Sequence, residues 1–169
     1  DAERLLNQCN MDLQIEQVNP IAFEPPIAPH IAALKKNSVI SLADLESYYH
    51  SLLESTPDIL LTEGAGGWRL PLGNNQYLSD FAVSSEQEVV LIVNMKLGCL
   101  NHALLTYEAI LNDGLTCIGW VANCIEEMPY LEENLATLKE LIKAPILGVV
   151  NHDPDVSNIA TKLDFSLFT

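Results

Sequence analysis

The chain has 169 residues, 49% of them apolar and 18% charged, with 23 acids against eight Lys and Arg and a formal net charge of -15. Length and apolar content suit one folded domain with a sizeable core and exclude a disordered chain. The charge excludes a nucleic-acid binder that works by neutralising phosphates and disfavours docking on an anionic membrane. Nucleotide binding stays open, because backbone N–H groups, helix N-termini and a metal ion hold phosphates without a basic surface. Cys9, Cys99, Cys117 and Cys124 form no C-x-x-C pair, and three lie in or beside apolar segments. That is the pattern of reduced thiols in a cytosolic protein. No apolar run approaches the ~18 residues that a membrane span needs. The first residues, DAERLLNQ, have neither the basic nor the apolar region of a signal peptide.

Residues 1–9 read as the end of a helix, with Ala2, Leu5 and Leu6 on one side. A chain that opens directly in a helical pattern, without Met, looks like the interior of a domain. The connector NPIAFEPPIAPH, residues 19–30, holds four prolines that forbid a regular helix through most of it. A short helix is expected after His30, and a clearer one over 41–55, where Ser41 can cap and Asp44 stands three residues later. DILLTE at 58–63 is a continuous apolar run too short for a helix, as are VVLIVN at 89–94, CIGWVAN at 117–123 and PILGVV at 145–150. Continuous rather than alternating apolarity predicts strands buried on both faces of a parallel sheet. Helical patterns over 100–111 and 128–142 separate the later strands. Together these predict one α/β domain over 1–169, a mostly parallel sheet flanked by helices and joined by right-handed crossovers.

Ligands of such sheets sit beyond the carboxyl ends of the strands. The polar strand ends are Glu63, Asn94 with Lys96, Asn123, and Asn151 with His152. An acid after an apolar strand has the form of a Walker-B carboxylate that holds Mg²⁺, and Gly64, Ala65, Gly66 and Gly67 allow backbone to approach a phosphate. On spacing alone the same residues also fit an ordinary turn with a solvated Glu. Gly98, Cys99, Leu100 and Asn101 open a helix whose free N–H groups, with Lys96 nearby, can take an anion; a plain helix start fits them equally. Asn123 offers a donor and an acceptor that suit an adenine edge, against a local backbone bond as the simpler reading. The phosphate-binding pattern G-x-x-x-x-G-K-[ST] does not occur, since none of the eight glycines is followed by Lys.

Taken in order, NPIAFEPPIAPHIAA, TEGAGGW, MKLGCLNHALLT, GLTCIGWVAN and APILG resemble the dethiobiotin synthetases, ATP-dependent enzymes of biotin biosynthesis. The likeness runs through nearly the whole chain. It implies a P-loop NTPase-like fold whose P-loop strand and helix, which open the family's domain, are missing from this sequence. The chain is therefore expected to be part of a longer protein. The resemblance implies a cytoplasmic homodimeric ligase with Mg²⁺ as cofactor and ATP as co-substrate, acting on 7,8-diaminononanoate and CO₂. Asp1 and Glu63 fall on the family's metal-binding acids, and Glu63 is also the implied catalytic residue. Gly64, Ala65 and Gly66 fall on backbone near the nucleotide. Asn123 and Cys124 fall on the adenine site, as does the segment Asn151, His152 and Asp153, where the family often has a Pro-initiated stretch. Gly98, Cys99, Leu100 and Asn101 fall on a helix N-terminus that takes the substrate carboxylate across the dimer interface. A tyrosine that assists there in some members corresponds to Asn134. A truncated, inactive paralogue that serves as a binding partner, or another P-loop amide-forming ligase, would fit the same residues.

Overall fold

The computed structural model describes residues 1–153 and 156–166. The chain divides into two compact units, Asp1–Ser85 and Glu86–Thr169. The first holds α1 (Ala2–Gln8), α2 (Ile15–Val18), α3 (Pro29–Lys35), α4 (Leu42–Leu53), the strands β1 (Pro71–Gly73) and β2 (Gln76–Tyr77), and α5 (Leu78–Ser84). Proline sits at the start of α3, where its missing N–H costs nothing. Ser41 caps α4 by accepting from the Asp44 amide at 3.4 Å. Asn74 and Asn75, both at positive φ (51° and 59°), make the tight turn that lets β1 and β2 pair antiparallel. Ala33, Ile40 and Leu72 form the core of this unit, with Phe23, Leu45 and Leu78 packed against them.

The expected strand at 58–63 does not form. Residues 58–63 belong to no sheet among the described residues, and Ile59 and Leu61 are 69% and 75% exposed. A continuous apolar run becomes a buried parallel strand only where neighbouring strands accept its ladder hydrogen bonds. No described strand of this chain does so.

The second unit holds β3 (Val89–Asn94), α6 (Cys99–Asn112), β4 (Cys117–Cys124), α7 (Leu131–Leu141), β5 (Ile146–Asn151) and α8 (Val156–Ala160). The three strands run parallel in the order β3-β4-β5, and the expected runs at 89–94, 117–123 and 145–150 match them to within a residue at each end. Helices flank the sheet, so the parallel α/β class read from the sequence is present. Helix α7 starts three residues later than expected. Pro129 restrains the residue before it, and Tyr130 at φ 59° turns the chain into the helix. Val121, Leu147 and Val150 form one side of the core, against Val90, Ile159 and Leu163.

Gly148 marks a close approach. A Cβ there would collide with the Lys162 carbonyl, a backbone atom that cannot rotate away. At Gly119 the obstacle is the Leu147 side chain, 2.6 Å from the ideal Cβ position. Gly148→Ala is therefore expected to destabilise the protein by about 1–3 kcal/mol, as overpacked cores do. Urea unfolding measures it, and an unchanged midpoint would show that the segment after α8 yields freely.

Candidate functional site

The carboxyl ends of β3, β4 and β5 form one edge of the second unit. Asn94 is the register partner of Asn123, and Cys124 is that of Asn151. The ladder continues past the strands, where the Met95 amide donates to the Asn123 carbonyl at 2.8 Å and the His152 amide to the Cys124 carbonyl at 3.1 Å. Asn94, Asn123, Cys124, Asn151 and His152 are thus brought together as the chain order predicts. Asp153 follows them at the same edge.

From β3 the chain turns through Lys96, Leu97 and Gly98 into α6. Gly98 stands at φ 92°, a backbone state that only glycine adopts without strain, and no side chain caps the helix. Of the four residues expected to present amides here, Cys99 uses its N–H on the Lys96 carbonyl at 2.9 Å. The first-turn N–H groups of Leu100 and Asn101 have no intrahelical acceptor. The Cys99 side chain is buried, whereas Leu97 is 99% exposed. Asn134, in the first turn of α7, donates from its side chain to the Tyr130 carbonyl at 2.7 Å.

A cleft of about 280 Å³ opens beyond the ends of β4 and β5, walled by Cys124, Asn151 and His152 and by Ile125–Met128 and Leu131. The segment 125–131 is the part that sequence reasoning missed. Its first residues read as a plain loop and 128 onward as helix, and the only signal of a site is the pair Glu126-Glu127 followed by Pro129 just past a strand end. A larger hollow, about 560 Å³, lies at the opposite, amino-terminal edge beside Tyr107, Cys117 and Lys143. The carboxyl-edge cleft is the candidate site, because parallel sheets bind at that edge.

Burial pushes the thiols of Cys124 and Cys117 up, although Cys117 also meets the Gly119 and Leu91 backbone, which acts the other way. Both are therefore neutral at physiological pH. A group raised in the folded state contributes stability that is complete below its unfolded value and is lost as pH rises. Stability is expected to fall from about pH 8.5 upward, the ordinary thiol range, and Cys117→Ala should flatten that alkaline limb. Thermal melts across pH 7 to 10 test this; an identical slope in the variant would rule Cys117 out as its source.

In the first unit, Glu63 is exposed and its carboxylate has no hydrogen-bond or ion-pair partner among the described residues. The loop behind it passes through Gly66 at φ 73° and Gly67 at φ 88°. A Cβ at Gly66 would stand 2.8 Å from Leu70 Cδ1, so the loop packs tightly on its own exit. Asp1 precedes α1 and makes no capping bond with its side chain, and no hydrogen bond or ion pair joins it to Glu63. No three His, Cys, Asp or Glu side chains converge as a metal cluster among the described residues. Mg²⁺ does not need such a cage, since it takes one or two carboxylates and completes its shell with water and phosphate. An unpaired carboxylate on a glycine loop fits that donor set.

Residues 1–160 match the family model described as an AAA domain, a P-loop NTPase-type domain, and the parallel α/β unit with polar strand ends is consistent with that class. The chain is 49% identical over 167 residues, 97% of its length, to the ATP-dependent dethiobiotin synthetase of Pseudomonas paraeruginosa. It is 51% identical over 151 residues to that of Cellvibrio japonicus and 43% over 169 residues to that of Aeromonas salmonicida, covering 89% and 98% of this chain. The matches span 73%, 66% and 75% of these relatives' own lengths. The chain belongs to the dethiobiotin synthetase family of ATP-dependent ligases, as its sequence motifs imply.

Proposed function

We propose that the protein carrying this chain is the ligase that closes the ureido ring of dethiobiotin from 7,8-diaminononanoate, CO₂ and ATP. The observation that carries this reading is the shared edge of Asn94, Asn123, Cys124 and Asn151 in a chain whose relatives bear that enzyme's name. One amine of the substrate adds to CO₂ and loses a proton, giving a carbamate. A carbamate oxygen attacks the γ-phosphorus of ATP and ADP leaves. The second amine attacks the carbamoyl carbon, expels phosphate and closes the ring. Mg²⁺, when bound, neutralises the charge on the transferring phosphoryl group.

In this reading Glu63, with Asp1, holds the metal, and Gly64, Ala65 and Gly66 leave room for the phosphates. The base lies in the cleft beside Asn123, Cys124 and the segment Asn151–Asp153. The amides at Gly98–Asn101 take the substrate carboxylate, holding both amines near the phosphoryl group. On this reading residues 1–169 are a single α/β domain. A second copy of the chain covers the exposed Leu97 and the exposed Leu105 of α6, so that each site draws on two subunits. The four cysteines are free, as suits a cytoplasmic enzyme, and no helix among the described residues is long and apolar enough to cross a membrane.

The test is ATP hydrolysis by the full-length protein. Hydrolysis is expected only when both diaminononanoate and CO₂ are present. Equal hydrolysis with an unrelated amine or carboxylate would assign the site to a different ligase reaction.

A further inference from the structure

Ser79 is the one buried polar or charged side chain among the described residues, 2% exposed, in the first turn of α5. Its hydroxyl accepts a hydrogen bond from Arg69 Nη1 at 3.0 Å. Arg69 is itself exposed, and its guanidinium lies 5.7 Å from the centroid of the Tyr77 ring. The next residue is pinned to the same place, because the Leu78 amide donates to the Leu70 carbonyl at 2.8 Å. Tyr77 is in turn held by the hydrogen bond that its backbone amide donates to Asp80 Oδ2 at 2.8 Å. A charged donor on a buried hydroxyl, backed by an aromatic face, is stronger and more directional than an ordinary surface contact.

This clamp closes on the exit of the Gly64–Gly67 loop. Three of those four residues are glycines, and two of them need positive φ. Without an anchor the loop would sample many conformations and carry Glu63 with it. We propose that Arg69 is a positioning residue: held by Ser79 and Tyr77, it fixes the glycine loop and so places the Glu63 carboxylate for the metal–nucleotide complex. This rests on the function proposed above. Arg69 suits the task better than Lys, because its planar fork meets the hydroxyl and stacks on the ring at once.

The test compares Arg69→Met, Ser79→Ala, the double variant and Arg69→Lys in the full-length protein. Hydrogen exchange of the amides at 64–68 reads loop order, and Mn²⁺ affinity with a non-hydrolysable ATP analogue reads carboxylate placement. Either single removal should speed exchange across 64–68 and weaken Mn²⁺ binding by about fivefold or more, the scale of one charge-assisted hydrogen bond. Exchange in α4 should not change. The double variant should match the worse single one, since both remove the same contact, and Arg69→Lys should recover part of the loss. Unchanged exchange across 64–68 in Arg69→Met, or additive effects in the double variant, would overturn the proposal. Glu63→Gln in the same Mn²⁺ titration separates the two ideas. Wild-type affinity there removes Glu63 as a metal ligand, while the exchange data still decide whether Arg69 orders the loop.

Discussion

Glu63→Gln should lower the turnover of the full-length protein by roughly 100-fold or more while leaving it folded. The amide keeps the size and one acceptor of the carboxylate but removes its negative charge. In the proposed site that charge is what Glu63 would contribute to a bound Mg²⁺. Stability should change by no more than about 0.5 kcal/mol, because the side chain is exposed and has no partner to lose. Steady-state kinetics at saturating ATP and a thermal melt make the comparison. Full turnover in the variant would remove the metal role, and a collapsed melting temperature would mark Glu63 as structural.

The largest stability effect is expected at Trp120. It lies in the central strand β4, 0% exposed, and is among the largest fully buried side chains. Trp120→Ala removes that packing and leaves a cavity, at a cost of about 3–5 kcal/mol. Its indole Nε1, also buried, has no hydrogen-bond partner among the described residues. An unpaired buried N–H costs about 1–3 kcal/mol, which offsets part of what the ring contributes. Trp120→Phe deletes the N–H with less loss of volume, so it should be far milder than Trp120→Ala. Urea midpoints for the pair test this, and equal losses would show that the indole N–H is well satisfied.

What was legible in the sequence follows from what each element needs. The runs at 89–94, 117–123 and 145–150 are strands because each has a parallel neighbour within the same unit. The run at 58–63, whose apolar stretch Ile59-Leu60-Leu61 is as continuous, is not a strand, because apolarity states a preference for burial and does not supply a pairing partner. The hairpin at Asn74-Asn75 carries no readable periodicity because its strands are three and two residues long, and α5, a seven-residue helix, is too short for a clear amphipathic pattern. At the site, strand-end residues such as Asn123 and Asn151 were readable from the rule that parallel sheets bind at their carboxyl edge. The cleft wall at 125–131 was not, because its place depends on how the chain turns after β4. The Arg69–Ser79 contact was also hidden. It joins side chains ten residues apart across a turn, and no hydrophobic period encodes it.

In the proposed reaction this family member builds a ureido carbon from CO₂ at the expense of one ATP. The direct measurement supplies ¹³C-labelled bicarbonate, diaminononanoate and MgATP to the full-length protein, then follows product by mass spectrometry and released phosphate in parallel. Dethiobiotin carrying one ¹³C is expected, with one phosphate per product molecule. Phosphate release without labelled product, or release that does not depend on the diamine, would contradict it.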